Sequence, residues 1–405
     1  MPIAVQESSP EVPRLVTPRF AIIALSGLAY FIGFSALYPV LPRYVEDLGG
    51  SGLEVGLAIG SFGVTAALLR PVVGRLGDRH GRRVLVMGGM AVAVVALLGH
   101  LWADTVTAVI GLRLLFGVGE AAAFVGLATA VQDMAPTERR AEAASYFSAS
   151  VYGGIAMGPL LGDRLVDRYD YDAIWLTLAA VVAVGVVLGW AVPTNAVDPV
   201  VQRPDGSRRF IHPEAVWPGL ALGAAMVGYA GFVSFITLLI DERGIGNPGV
   251  AFSVYALLTL TGRLVGARVG DRVSEVKVAA ASLVLISSGL CVMAAWATAL
   301  GLYLGIVGLA GGMALNFPAL LALVTRRAPE QERGHAIASF IMFFDLAFSL
   351  GALLVGGVVA LTGRPTGIAF GAVIALAGLP ALVKAQTARP SGRECSGSTT
   401  EAIGS

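Results

Sequence analysis

The chain has 405 residues, of which 56% are hydrophobic and only 14% charged, and its mean hydropathy is +0.77. That balance lies far outside the soluble norm and leaves no room for a sizeable water-soluble core. The net charge of +1 argues against a nucleic-acid partner. Of the two cysteines, Cys291 falls in an apolar segment and Cys395 in the polar tail, so no structural disulfide is expected.

A bilayer span needs about 20 mainly apolar residues. In chain order, twelve windows qualify: 19–42, 53–73, 84–103, 105–130, 142–162, 173–192, 214–240, 249–267, 278–298, 300–325, 335–361 and 366–386. Six lie on each side of the longest internal polar stretch, 193–213. The pattern predicts an all-α membrane protein of twelve transmembrane helices in two pseudo-symmetric six-helix bundles. Its parts are a tail at 1–18, a bundle at 19–192, a linker at 193–213, a second bundle at 214–386 and a tail at 387–405. The N-terminal tail lacks a cleavable signal design, so the first span is expected to direct insertion itself.

Basic residues divide unevenly between the two sets of loops. Placing both termini in the cytoplasm leaves 20 Lys and Arg on the inner side and five on the outer side: Arg43, Arg164, Arg168, Arg243 and Arg364. Positive residues are retained inside, so a multi-pass protein of the cell membrane with cytoplasmic termini is expected.

The two halves also repeat. Arg70-Pro-Val-Val-Gly-Arg-Leu-Gly-Asp78-Arg79 matches Arg263-Leu-Val-Gly-Ala-Arg-Val-Gly-Asp271-Arg272 at an offset of 193 residues. The same offset pairs Ala135-Pro136 with Ala328-Pro329, Arg140 with Arg333, and Gly158 with Gly351. Duplicated halves in a membrane chain mark a secondary transporter.

The loop Gly74-Arg-Leu-Gly-Asp78-Arg79-His-Gly81-Arg82-Arg83 joins spans 2 and 3. Glycines there allow a tight turn and close helix approach. An aspartate can face a helix N-terminus, and arginines can pair with acids at other helix ends. Such a cluster can latch the inner helix ends in one conformation. This spacing resembles the loop signature of the major facilitator superfamily, and the likeness covers the chain apart from its tails. The resemblance implies that Asp78 faces the start of span 11, that Arg82 pairs with Asp133, and that this network holds the outward-open state. The second copy lacks the Gly-Arg-Arg tail, so Asp271 and Arg272 are expected to latch more weakly.

In span 4, Arg113, Gly117 and Gly119 resemble a pattern of proton-coupled members. In span 5, Gly154, Gly158, Pro159 and Gly162 resemble the signature of antiporters, with Asp163 standing where that family has a second glycine. Small residues allow close helix packing and proline bends a helix.

Ionisable residues inside spans cost about 2.5–3.5 kcal/mol each on insertion scales and are functional candidates for that reason. Arg113, Gly117, Glu120 and Phe124 share one face of span 4. Asp345 lies well inside span 11. At the repeat offset Arg113 becomes Ile306, Glu120 becomes Met313 and Asp345 becomes Tyr152, so the fold itself does not require those charges. Arg70 and Arg263, a symmetric pair, are expected to belong to the latch. A carboxyl out of water favours its neutral form and can load a proton. Arg113, Glu120 and Asp345 therefore either couple transport to protons or form a static pair. The aromatics Tyr30, Phe34 and Tyr38 of span 1, Phe124 of span 4, and Tyr229, Phe232 and Phe235 of span 7 either line a substrate cavity or pack the bundles.

Neither a metal-ligand cluster nor a nucleotide-binding Gly-x-x-x-x-Gly-Lys loop is present, so no cofactor, no metal and no ATP are expected. The resemblance and these residues together point to proton-coupled export of a small, partly apolar organic molecule by a monomer in the lipid bilayer. Uptake or facilitated diffusion of a sugar or organic acid, with Arg113 binding its anionic group, and a non-transporting receptor are the rival readings. An intramembrane enzyme is not expected.

Overall fold

Capping residues and glycines set the helix boundaries that the apolar windows leave open. The computed structural model describes residues 15–136, 139–194, 211–266, 273–329 and 332–387, apart from the side chains of Asp78 and Ala141. Most of both tails, most of the linker, and the loop with Asp271 and Arg272 lie outside the described residues. Within them the secondary structure is helical, without strands. The first half comprises α1 (Pro18–Asp47), α2 (Gly52–His80), α3 (Arg82–Gly99), α4 (Val106–Asp133), α5 (Arg140–Val166) and α6 (Tyr171–Gly189). The second comprises α7 (Pro213–Arg243), α8 (Pro248–Gly266), α9 (Glu275–Ala295), α10 (Ala299–Arg327), α11 (Arg333–Thr362), α12 (Arg364–Leu376) and α13 (Leu379–Thr387).

Thr17, Thr105, Asp170 and Thr298 cap α1, α4, α6 and α10 by accepting a free backbone N–H of the first turn. Ser51 and Glu54 form a reciprocal capping box at the start of α2. Gly81, at φ 86°, ends α2 and turns the chain into α3 within one residue. That backbone is accessible to glycine at little cost.

Eleven helical segments are long and apolar enough to cross a membrane, with α12 and α13 counted as one, Arg364–Thr387. The helix outside that set is α5, which carries Arg140, Glu142, Asp163 and Arg164. It is nevertheless enclosed by α1 of its own half and α8 of the other, so the bundle supplies what its composition lacks.

The two halves repeat their packing. In the first, α1 packs on α5 and α6, and α4 on α2 and α3. In the second, α7 packs on α11 and α12, and α10 on α8 and α9. Across the interface α2 meets α11 and α5 meets α8, which are the same contact related by the pseudo-twofold axis. Lipid is as apolar as a leucine, so helix association in a bilayer rests on close packing. Gly60 in α2 lies where an added Cβ would stand 2.8 Å from the Ser349 carbonyl of α11. In α5, a Cβ on Gly154, Gly158 or Gly162 would run into the α1 backbone around Phe31, Ile32 and Ala36. The antiporter-like signature thus presses α5 onto its own half. Residues 221–240 of α7 are buried without a break, which places this helix at the molecular centre.

Candidate functional site

Three charged side chains from three helices meet in the middle of the bundle. Arg70 of α2 donates from Nη2 to Oδ1 of Asp345 on α11 at 3.0 Å, and its Nε lies 2.9 Å from Oδ2. Glu120 of α4 brings Oε1 to 3.6 Å from the same Nη2. The Arg70 guanidinium sits 4.9 Å over the ring of Phe124, one helical turn beyond Glu120. Arg70 is 19% exposed, Asp345 7% and Glu120 8%, so the pair is nearly dry and open along the arginine. It joins the two halves, because α2 belongs to one and α11 to the other.

This arrangement corrects two expectations. Arg70 does not sit with the loop latch; it is the counter-charge to both intramembrane acids. Arg113 pairs with neither acid. Its Nε donates to the Ala58 carbonyl at 3.1 Å, and its guanidinium lies 4.8 Å over Phe62 and 4.9 Å over Phe116. Two turns separate Arg113 from Glu120 along α4, about 10 Å at 1.5 Å per residue. Nη1 of Arg113, Oε2 of Glu120 and the Tyr30 hydroxyl are buried without a hydrogen-bond partner among the described residues.

The pseudo-twofold axis carries Arg70 to Arg263 and Asp345 to Tyr152. There the guanidinium lies 4.9 Å over the Tyr152 ring. One interface holds an ion pair and its mate a cation–π contact.

An aromatic belt runs between these two places. Phe34 packs on Phe62 at 5.3 Å, Phe62 on Phe348 at 5.8 Å, Phe348 on Tyr229 at 5.9 Å, and Tyr229 on Tyr255 at 5.4 Å. Tyr38 and Phe232 both meet Phe252, at 5.4 and 5.3 Å. The belt joins aromatics expected from sequence to Phe62, Phe252, Tyr255 and Phe348, which isolated helix faces do not single out.

At the end of the bundle where α1 begins and α13 ends, Arg82 Nε lies 3.1 Å from Asp133 Oδ2. Arg83 donates to the Val192 carbonyl at 2.7 Å and lies over the Trp190 ring. Arg79 is exposed and Gly74 has open space where a Cβ would stand. The side chain of Asp78 lies outside the described residues, as do Asp271 and Arg272.

The opposite end holds a charge network absent from the sequence expectations. Arg43 of α1 binds Asp241 of α7 through Nε at 2.7 Å and Nη2 at 2.8 Å, and Asp163 of α5 through Nη1 at 2.8 Å. Asn247, at the start of α8, donates its side-chain amide to Asp163. Arg364 of α12 bridges Glu242 of α7 at 2.6 Å and Glu46 of α1. These contacts rim a cavity of about 430 Å³ and tie the halves together. The departure at Asp163 was the one signal in the sequence, since a buried acid replacing a small residue needs a partner.

Two pseudo-symmetric helical halves, closed at one end and meeting at a charged centre, define a membrane transporter of the two-bundle class. The chain belongs to the Major Facilitator Superfamily, whose family model matches residues 23–251 and 246–401. It is 30% identical over 333 residues to the uncharacterized MFS-type transporter STM4428 of Salmonella typhimurium, covering 78% of this chain and 83% of that protein. It is 27% identical over 357 residues to the uncharacterized MFS-type transporter YhhS of Escherichia coli, covering 86% and 87%. Among solved structures it resembles the nucleoside transporter NupG with a TM-score of 0.75 at 14% identity, covering 91% of this chain and 99% of that one. A POT family transporter in complex with 5-aminolevulinic acid gives a TM-score of 0.76 at 11% identity, covering 90% and 95%. Likeness at that level of identity shows the fold.

Proposed function

We propose that the protein exports a small, partly apolar organic molecule across the cell membrane by proton-coupled alternating access. Glu120 and Asp345 share the proton, and Arg70 is their common counter-charge. The observation that carries this reading is the Arg70–Asp345 contact, a nearly dry ion pair that spans the two halves with a second acid 3.6 Å away. Protonating Asp345 removes the anion that holds α2 to α11, and Arg70 then keeps only the looser Glu120. Losing the proton on the other side restores the tie. A buried pair whose charge state alters the contact between rigid bodies is a two-state element of the kind that coupling requires.

The excess of basic residues at the end where α1 begins and α13 ends supports a cytoplasmic placement for it. On that orientation the Arg43 and Arg364 network seals the outer side, and the chain is closed to the exterior. The aromatic belt supports a partly apolar cargo.

The test is substrate-driven proton movement in acid-loaded inside-out vesicles. Wild-type protein should release luminal protons when substrate is added, and Asp345→Asn and Glu120→Gln should abolish the release. Unchanged proton release in both variants would remove the coupling role. Substrate flux without proton movement in the wild type would make the protein a uniporter.

A further inference from the structure

The charges within the spans do not balance, counting Arg263 in the last turn of α8. They comprise Arg70, Arg113 and Arg263 against Glu120 and Asp345, three cations and two anions. Both acids gather around Arg70. At the related position in the other half the same guanidinium remains, while Asp345 has become Tyr152 and Glu120 has become Met313. Arg263 therefore keeps a positive charge in the bilayer with the Tyr152 ring beneath it, and its buried Nε has no hydrogen-bond partner among the described residues. Among the described residues no acid pairs with Arg263. Tyr255, at the end of the aromatic belt, lies about two turns before Arg263 on α8. Arg113, which also lacks an acid, has the Ala58 carbonyl as a hydrogen-bond partner, whereas Arg263 has the Tyr152 ring beneath it and an anion would complete it.

We propose that the cargo is an organic monoanion, a carboxylate on an aromatic or similarly apolar body, and that Arg263 anchors its carboxylate. This rests on the transporter reading and adds the substrate class to it. The carboxylate lies against the Arg263 guanidinium, and the apolar body lies along the aromatic belt. An ammonium compound placed there would face the Arg263 charge, so it should bind more weakly than the carboxylate. The asymmetry of the repeat then has a division of labour: one arginine is completed by the protein's own acids, the other by the cargo.

The experiment uses three ligands of one shape and different charge: 3-phenylpropanoate, 3-phenylpropanamide and 3-phenylpropan-1-ammonium. Each is titrated against detergent-purified full-length protein at pH 7, with thermal stabilisation as the readout of binding. No pH gradient is present, so a negative result here leaves proton coupling standing, and a failure of coupling leaves this result standing. The carboxylate should bind at least about tenfold more tightly than the amide, a difference of 1.4 kcal/mol, with the ammonium weakest. Arg263→Gln should erase the preference for the carboxylate over the amide, and Arg263→Lys should retain part of it, because a point charge remains while the planar stacked fork is lost. Replacing chloride by gluconate in the buffer should leave the ranking unchanged. An equal or tighter ammonium, an amide equal to the carboxylate, or no carboxylate binding overturns the proposal, as does a ranking that exists only without chloride. A preference intact in Arg263→Gln overturns the anchor. If that variant does not fold, the wild-type ranking and the lysine variant decide.

Discussion

Asp345 and Arg70 each lose water to reach the other, so either one alone is worse than both or neither. Removing one partner of a buried ion pair costs about 3–5 kcal/mol, whereas replacing the pair can be nearly neutral. Asp345→Asn should accordingly lower the unfolding temperature in detergent well below that of the wild type, and Arg70→Gln combined with Asp345→Asn and Glu120→Gln, which leaves no charge of the cluster stranded, should recover most of the loss. The triple variant should stay inert in proton-driven transport while regaining stability, and a triple variant less stable than Asp345→Asn alone would show that the cluster is not the unit. Sequence reasoning found both acids because a charge inside a span is costly, and the uncharged repeat partner of each showed that the fold does not require it. It misassigned Arg70 by the same comparison, since a charge present in both halves reads as part of a shared scaffold. What could have corrected this is that Tyr152 occupies the place of Asp345. One copy of the arginine thus retains an acid in the corresponding register and the other has lost it.

Helix packing separates glycines that a motif treats alike. Gly158 faces the Ile32 carbonyl and the Ala36 amide of α1, while Gly74 has nothing within 4 Å of an added Cβ. Overpacking a tight contact costs about 1–3 kcal/mol or more. Gly158→Leu should force α5 off α1 and abolish the monodisperse peak in size-exclusion chromatography of the detergent extract. Gly74→Ala should leave that peak and its thermal stability within error of wild type, and equal damage from the two would break the packing argument. Span positions were legible because twenty apolar residues have few other fates. Which face of a span meets which neighbour was not, because glycine spacing carries no information about the partner. The inclusion of α5 shows the same limit: its four charged residues lower its apolarity, and only its place between α1 and α8 explains how they are accommodated. Asp163, one of them, is satisfied by Arg43 and Asn247, from α1 and the other half, a pairing that local sequence cannot contain.

At the scale of the whole molecule, orientation and state are linked. A single cysteine at Ala196→Cys, in a chain with its own two cysteines replaced, should label only from the cytoplasmic side. Labelling from outside intact cells would invert the orientation and with it the side on which the chain is closed. Given that orientation, the outer closure rests on two arginines, each bridging acids of both halves: Arg43 between Asp163 and Asp241, and Arg364 between Glu46 and Glu242. The two bridges are unequal. Asp163 is 2% exposed and Asp241 39%, and Glu46 and Glu242 are 36% and 49%. Exposed pairs are worth about 0–1 kcal/mol each and weaken with salt, while a buried partner left alone costs more. Arg364→Gln should therefore shift the balance toward the outward-open form by a few-fold, within the tenfold that 1.4 kcal/mol represents. Arg43→Gln should shift it further, because it also strands Asp163. The measurement is the distance distribution between spin labels at Asp172→Cys on α6 and Leu300→Cys on α10, both at the sealed end and both exposed. The long-distance population should grow in the order wild type, Arg364→Gln, Arg43→Gln, and raising the salt concentration should mimic the Arg364 variant better than the Arg43 variant. Distances that do not respond to either substitution would mean that the Gly60 and Ser349 contact of α2 with α11 closes this end, and that the charges ride on a seal made by backbone packing.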